Sequence, residues 1–403
     1  MSILSALRYR NFRFYFTGQA LSSLGNMMQE VAIAWLAYRL TDSAWLLGVV
    51  TFVRQGAAFA MGPLAGVAAD RYPKGRMLAL YHSVLALASL LLAVLTWTEV
   101  ITVMHMIGLQ IVLGAAKGME IPARQALVND IVEDKSILSN AIALNSTLFN
   151  TSRIVGPAIA GMLIPLIGEA LCFVTYATVS FLIAGIFLWL NAHVTESPSP
   201  AIGSFRHQFT EGVRYAYHFV PIRLILILVA TVSLLGISFN VLLPVFANEV
   251  LHVGATGFGY LTSAIGAGSI LGALYFGNRK EAGGLERILF TATLIFAVGV
   301  TAFALSGSLV FALGALVISG VGRVMIFTCA NTLLQTLSSD DKRGRVLSLY
   351  ITSFMGAITV GSLLMGFFAD QIGAPITVLI GGVSCLLPAL FFVRRRAAFQ
   401  VAQ

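Results

Sequence analysis

Charge is what this sequence has least of. Only 10% of its 403 residues are Asp, Glu, Lys or Arg, whereas a water-soluble domain carries about a quarter, so the chain cannot cover a water-facing surface of its own. Cysteine is almost absent. Cys172, Cys329 and Cys385 each fall inside an apolar run, with no pairing or ligand spacing, which fits small buried hydrophobes and speaks against a disulfide framework or a metal centre. The six histidines are scattered, no nucleophile–base spacing occurs, and no phosphate-binding loop is present. An enzyme, an ATP-driven machine and any cofactor are therefore not expected. The net charge of +8 is spread in short clusters between apolar runs, with no continuous basic face, so nucleic acid is not an expected partner. A cleavable signal peptide is not expected either, because residues 1–13 are polar and basic and the first apolar run is too long.

What is abundant is apolar: 58% hydrophobic residues, with 38 glycines. At about 20 residues per crossing, the runs divide into twelve spans, roughly 15–38, 44–66, 77–97, 101–124, 139–164, 170–191, 222–246, 257–277, 288–306, 309–331, 345–368 and 374–393. The cations between spans lie almost entirely on one side, with Arg39 alone on the other. By the positive-inside rule both termini face the cytoplasm.

Residues 192–221 form the one long connection, opening on the breaker-rich Thr195–Pro200. Phe205, Phe209, Val213, Ala216 and Val220 follow at helical spacing among charges, which predicts an amphipathic helix on the inner leaflet. The domains are thus 1–191, the linker 192–221, and 222–403. The two large parts repeat. Gly156, Gly161 and Gly168 are spaced as Gly361, Gly366 and Gly373; Gly48 and Gly66 are spaced as Gly259 and Gly277; Glu133–Lys135 and Asp340–Lys342 precede matching spans. Generic small-residue packing spaces glycines, but not beside matching charged turns. The expected architecture is an all-α membrane protein of twelve transmembrane helices in two pseudo-symmetric six-helix bundles.

Polar residues inside the spans are the candidate site. Gln19, Ser22, Ser23, Asn26, Gln29 and Glu30 form one stripe on the first span, lining a water-filled cavity or acting as polar glue between helices. Glu30, Arg54, Lys117, Glu120, Arg153 and Arg323 are charges in hydrocarbon, costly unless paired or hydrated. Helical rise places Glu30 about 22 Å and Arg153 about 21 Å from the cytoplasmic end of their spans, and Arg54 about 15 Å from the outer end, so the three share a layer. Glu30 is expected to pair with Arg54 or Arg153, as part of a transport path or as a structural ion pair. Lys117, Glu120 and Arg124 are spaced for a local ladder at the inner end of span four, and Arg323 falls near the repeat position of Lys117. Asn145, Asn150, Asn240 and Asn331, with Phe149, Phe239 and Phe327 near them, complete the candidate cavity.

The stretch Gly66-Val-Ala-Ala-Asp70-Arg71-Tyr-Pro73-Lys74-Gly75-Arg76 reads as a tight, charged turn at a membrane surface. Its Gly-x-x-x-Asp-Arg spacing resembles the signature loop of the major facilitator superfamily. Ser152–Gly161 is similar to the span-five motif of facilitator antiporters, with Ser152 and Ala160 where glycines are usual. Pro122–Val128, Asn140–Asn145 and Asn150–Arg153 resemble the bacterial branch of enterobactin-type siderophore exporters and macrolide efflux pumps. The resemblance implies a major facilitator fold with a midplane binding site and a monomer exporting small organic substrates, of siderophore or multidrug type, against protons. It implies gating by the loop, in which Asp70 braces the start of span eleven near Gly344 and Arg71 meets Asp130 or Glu133. It also aligns Gln110 where drug–proton antiporters often carry an arginine. An importer, a lipid or lysolipid translocator, and a non-transporting receptor or scaffold remain as alternatives.

Overall fold

A computed structural model describes residues 5–131, 138–193, 213–279 and 284–389. They are almost wholly helical: α1 (Arg10–Thr41), α2 (Ala44–Arg71), α3 (Lys74–Trp97), α4 (Val103–Ile131), α5 (Leu138–His193), α6 (Val220–Thr231), α7 (Gly254–Gly277), α8 (Leu285–Ala304), α9 (Leu309–Leu337), α10 (Arg343–Ile372) and α11 (Ala374–Ser384). Among the described residues eight helices are long and apolar enough to cross a membrane. In α5 that apolar stretch runs 53 residues, about 80 Å and so two crossings. α1 and α4 fall outside the eight, and they are the helices that carry the polar stripe and the charged ladder. Leucine, valine and phenylalanine side chains such as Leu87, Leu166, Phe181 and Val310 are exposed, which suits lipid and no aqueous surface.

Contacts group the chain into two units: Met1–Thr41 with Val53–Ile202, and Asp42–Phe52 with Gly203–Gln403. The early turns of α2 join the second unit because Gly48 backs onto Ser362 and Gly366 of α10. There Ser43 Oγ donates to Asp370 at 3.2 Å and Trp45 stands edge-on to Phe367.

The internal repeat is visible in backbone detail. Gly168 breaks α5 at φ 76°, ψ 166°, and Gly373 separates α10 from α11 at φ 85°, ψ 150°. Only glycine adopts that region without strain. A Cβ on Gly156 would strike Leu24 and Met27 of α1, and one on Gly361 would strike Leu234 and Ser238 in the segment after α6. Gly114 of α4 sits on the Arg54 carbonyl of α2, as Gly320 of α9 sits on the Ile265 carbonyl of α7. Small residues let membrane helices approach backbone to backbone, and each unit does so at corresponding places.

Two sequence expectations change. Gly66–Arg71 is not a turn: α2 continues through it, and the break is confined to Tyr72–Pro73. The alanine-rich stretch sustains helix, and Pro73, which has no N–H to satisfy, stands where α3 starts. Gly75 is likewise helical, and its lack of a side chain admits Asn191 of α5. Span seven is not one regular helix. After α6 it passes through a widened turn at Val232–Gly236, a tightened one at Ile237–Leu242, a short regular turn and another widened turn at Phe246–Val250. Of the expected amphipathic linker helix, residues 213–218 are helical with Ala216 buried, while 194–212 lie outside the described residues.

Candidate functional site

The first unit holds the principal cluster. Glu30 lies on α1 one turn beyond Asn26, whose amide donates to Glu30 Oε1 at 3.0 Å. Arg54 reaches from α2 and donates from Nη2 to the same oxygen at 3.0 Å. Arg54 is therefore the partner, and Arg153 of α5 is within electrostatic reach of Glu30 without bonding to it. Among the described residues Arg153 makes no hydrogen bond or ion pair, and its side chain is exposed. The Glu30 side chain is 40% exposed and that of Arg54 19%, so the pair is reachable by water on the carboxylate side.

The rest of the α1 stripe does not share that exposure. Gln19, Ser22, Ser23, Asn26 and Gln29 are all buried. Gln19 bonds Ser23 at 3.2 Å, and Gln29 donates to Ser89 of α3 at 2.6 Å. These residues pack as polar contacts inside the unit, and only Glu30 opens outward. On α5, Asn145, Phe149 and Arg153 follow at one-turn intervals on a common face. Phe149 lies under the Arg124 guanidinium at 4.2 Å, and Asn145 and Asn150 are half-buried.

A second cluster sits on α4. Glu120, with a side chain only 5% exposed, receives Lys117 Nζ at 2.6 Å and Arg124 Nη1 at 3.5 Å. The Tyr81 hydroxyl of α3 donates to it at 3.4 Å. The expected ladder is thus formed, with Tyr81 as a member the sequence did not announce. Beside it His82 stacks on Phe187 at 5.3 Å between ring centres. Gln110, at the position implied for an antiporter arginine, is buried, and neither side-chain polar atom has a partner among the described residues.

In the second unit the candidates fall on two elements, Phe239 and Asn240 in the segment after α6 and Arg323, Phe327 and Asn331 on α9. Asn240 lies in the tightened turn, its Oδ1 buried and unpartnered among the described residues. Phe239 is not a cavity wall: it is buried against Phe303 at 5.7 Å. Phe327 meets Phe354 edge-to-face at 4.7 Å between ring centres, and the Phe327 carbonyl accepts from Tyr350. Asn331 accepts from Gln335 one turn on. Arg323 follows Gly320 by three residues, as Lys117 follows Gly114, so the repeat relation holds.

Of the loop residues, Gly66 has open space around it, Lys74 is buried and Arg76 exposed. Asp70, Arg71 and Asp130 are helical in backbone, but their side chains, and Glu133 altogether, lie outside the described residues. The sequence reading also missed an ion pair on the outer side. Arg39, the solitary outer cation, donates from Nε to Glu169 at 2.9 Å, immediately after the Gly168 break.

The site thus combines ion-paired charges on α1, α2 and α4 with Arg153 on α5. Along its length the chain is similar to known carriers. It is 26% identical to the staphyloferrin A transporter of Staphylococcus aureus over 97% of this chain and 98% of that protein. It is 22% identical to macrolide efflux protein A of Streptococcus pyogenes, over 95% and 96%. The fold superposes on a POT family transporter solved with 5-aminolevulinic acid, with a TM-score of 0.76, 10% identity and 96% of each chain covered. The chain matches the transmembrane secretion effector family along residues 1–401 and belongs to it, as a multi-pass membrane transporter of the major facilitator superfamily that carries a small molecule.

Proposed function

We propose that the protein is a secondary active exporter of an amphipathic organic compound of siderophore or drug type. It works as a monomer by alternating access in the cytoplasmic membrane, with both termini inside and a proton moving the other way. The observation that carries the reading is the state of Glu30. One of its oxygens is held by Arg54 and Asn26, while the side chain remains 40% exposed on a helix expected to span the membrane. A carboxylate in hydrocarbon is retained where it serves a pathway or a proton relay, and this one has an oxygen left over to take a proton. Protonation removes its attraction for Arg54 and frees the guanidinium. The relatives' names, staphyloferrin A and macrolide, supply the compound classes.

Proteoliposomes with an imposed pH gradient test this. An exporter facing outward-in accumulates substrate when the lumen is acidic, and the accumulation collapses when the gradient is dissipated. Accumulation driven by the opposite gradient identifies an importer. Binding without flux under either gradient leaves a receptor, and flip of a fluorescent lysolipid in place of soluble probes identifies a translocator.

A further inference from the structure

Building on the transporter reading, we propose that Arg153 is an anion-recognition residue and that the cargo of this protein carries a carboxylate. Within the apolar spans read from the sequence (15–38, 44–66, 77–97, 101–124, 139–164 and 170–191), the first unit holds four cations, Arg54, Lys117, Arg124 and Arg153, against two carboxylates, Glu30 and Glu120. Both carboxylates are taken: Glu30 by Arg54 at 3.0 Å, Glu120 by Lys117 at 2.6 Å and Arg124 at 3.5 Å. Arg153 is left over, exposed and without a hydrogen bond or ion pair among the described residues. An uncompensated charge at this depth is costly unless water or a bound counter-ion meets it. A guanidinium fork matches a carboxylate in two parallel bonds. The same charge repels an amine.

The repeat shows that the fold does not need these charges. Gly156 on Leu24 corresponds to Gly361 on Leu234; six residues past each leucine stand Glu30 and Asn240, and three before each glycine stand Arg153 and Ile358. Gly114 on Arg54 corresponds to Gly320 on Ile265. Near these crossings the second unit has Asn, Ile and Ile where the first has Glu, Arg and Arg, with Asn240 in the tightened turn rather than on a regular helix. The crossings at Gly320 and Gly361 form without charged neighbours at those positions, which leaves the charges of the first unit available to a ligand.

The test uses one dansyl fluorophore in three forms: a citrate monoamide, its fully esterified counterpart, and a tertiary amine. Binding to the purified full-length protein and flux into proteoliposomes are measured side by side. The expected result is binding and flux of the carboxylate in preference to the ester and the amine. Arg153→Gln should weaken carboxylate binding about 10- to 100-fold, the loss of one charge-assisted contact, with Arg153→Lys restoring part of it and ester binding unmoved. Gel filtration confirms that each variant is folded; should Arg153→Gln not fold, the Lys variant alone must shift the carboxylate affinity and leave the ester's unchanged. No carboxylate binding by the wild type, or carboxylate affinity unaltered by either substitution, overturns the proposal. Flux of the amine alone would overturn it while leaving the export reading intact. Carboxylate binding without flux would do the reverse.

Discussion

Asn26 and Arg54 converge on a single oxygen of Glu30, each at 3.0 Å, leaving Oε2 without a hydrogen-bond or ion-pair partner among the described residues. The carboxylate is therefore fixed in place by one oxygen and chemically open at the other. Glu30→Gln preserves shape and hydrogen-bonding capacity but cannot take a proton. Flux driven by a pH gradient should fall to the passive level, while counterflow of substrate across equal pH survives. Retention of gradient-driven accumulation would remove Glu30 from any coupling role.

Glu120 should behave oppositely, as a structural residue. It is buried beneath Tyr81 and compensates both Lys117 and Arg124. Glu120→Ala strands two cations in a low-dielectric interior and should cost about 3–5 kcal/mol, read as a marked drop in the thermal midpoint of the detergent-solubilised protein.

Where α4 crosses α2, a methyl group on Gly114 would meet the Arg54 carbonyl. Gly114→Ala should destabilise the protein by about 1–3 kcal/mol through overpacking and, by shifting the α2 backbone, reduce transport as well. Gly108→Ala on the same helix meets nothing within 4 Å and should leave both melting and transport unchanged.

Gly168→Ala and Gly373→Ala each force a side chain into backbone space reserved for glycine. Each should cost about 1–3 kcal/mol, and the two penalties should be similar because the two conformations are. Gly185→Ala, with no neighbour within 4 Å and ordinary helical backbone, serves as the comparison in the same melting experiment.

The membrane class and the duplication were legible because both are written along the chain, as run length, cation placement and glycine spacing. Depth arithmetic also brought Glu30, Arg54 and Arg153 to one layer, since rise per residue is constant. It was unable to choose between the two arginines, because that depends on how α1, α2 and α5 are rotated about their axes. For the same reason Gln29–Ser89, Arg39–Glu169 and Tyr81–Glu120 went unseen: each partner lies on another helix, at an azimuth no single-helix pattern records. The turn within Gly66–Arg76 was legible, and the structure has it at Tyr72–Pro73, but its extent was not, because glycine and charge are turn signals in water whereas α2 runs on beyond its apolar run.

Backbone-to-backbone crossings at Gly114 and Gly320 carry a consequence for the positions beside them. When two helices are registered by their main chains, the side chains beside the contact are released from the task of spacing them. Arg54 and Ile265 occupy equivalent berths in duplicate scaffolds, so a berth can exchange a hydrocarbon for a cation without rebuilding its surroundings. Side-chain chemistry at such a berth is thereby separable from the helix crossing beneath it.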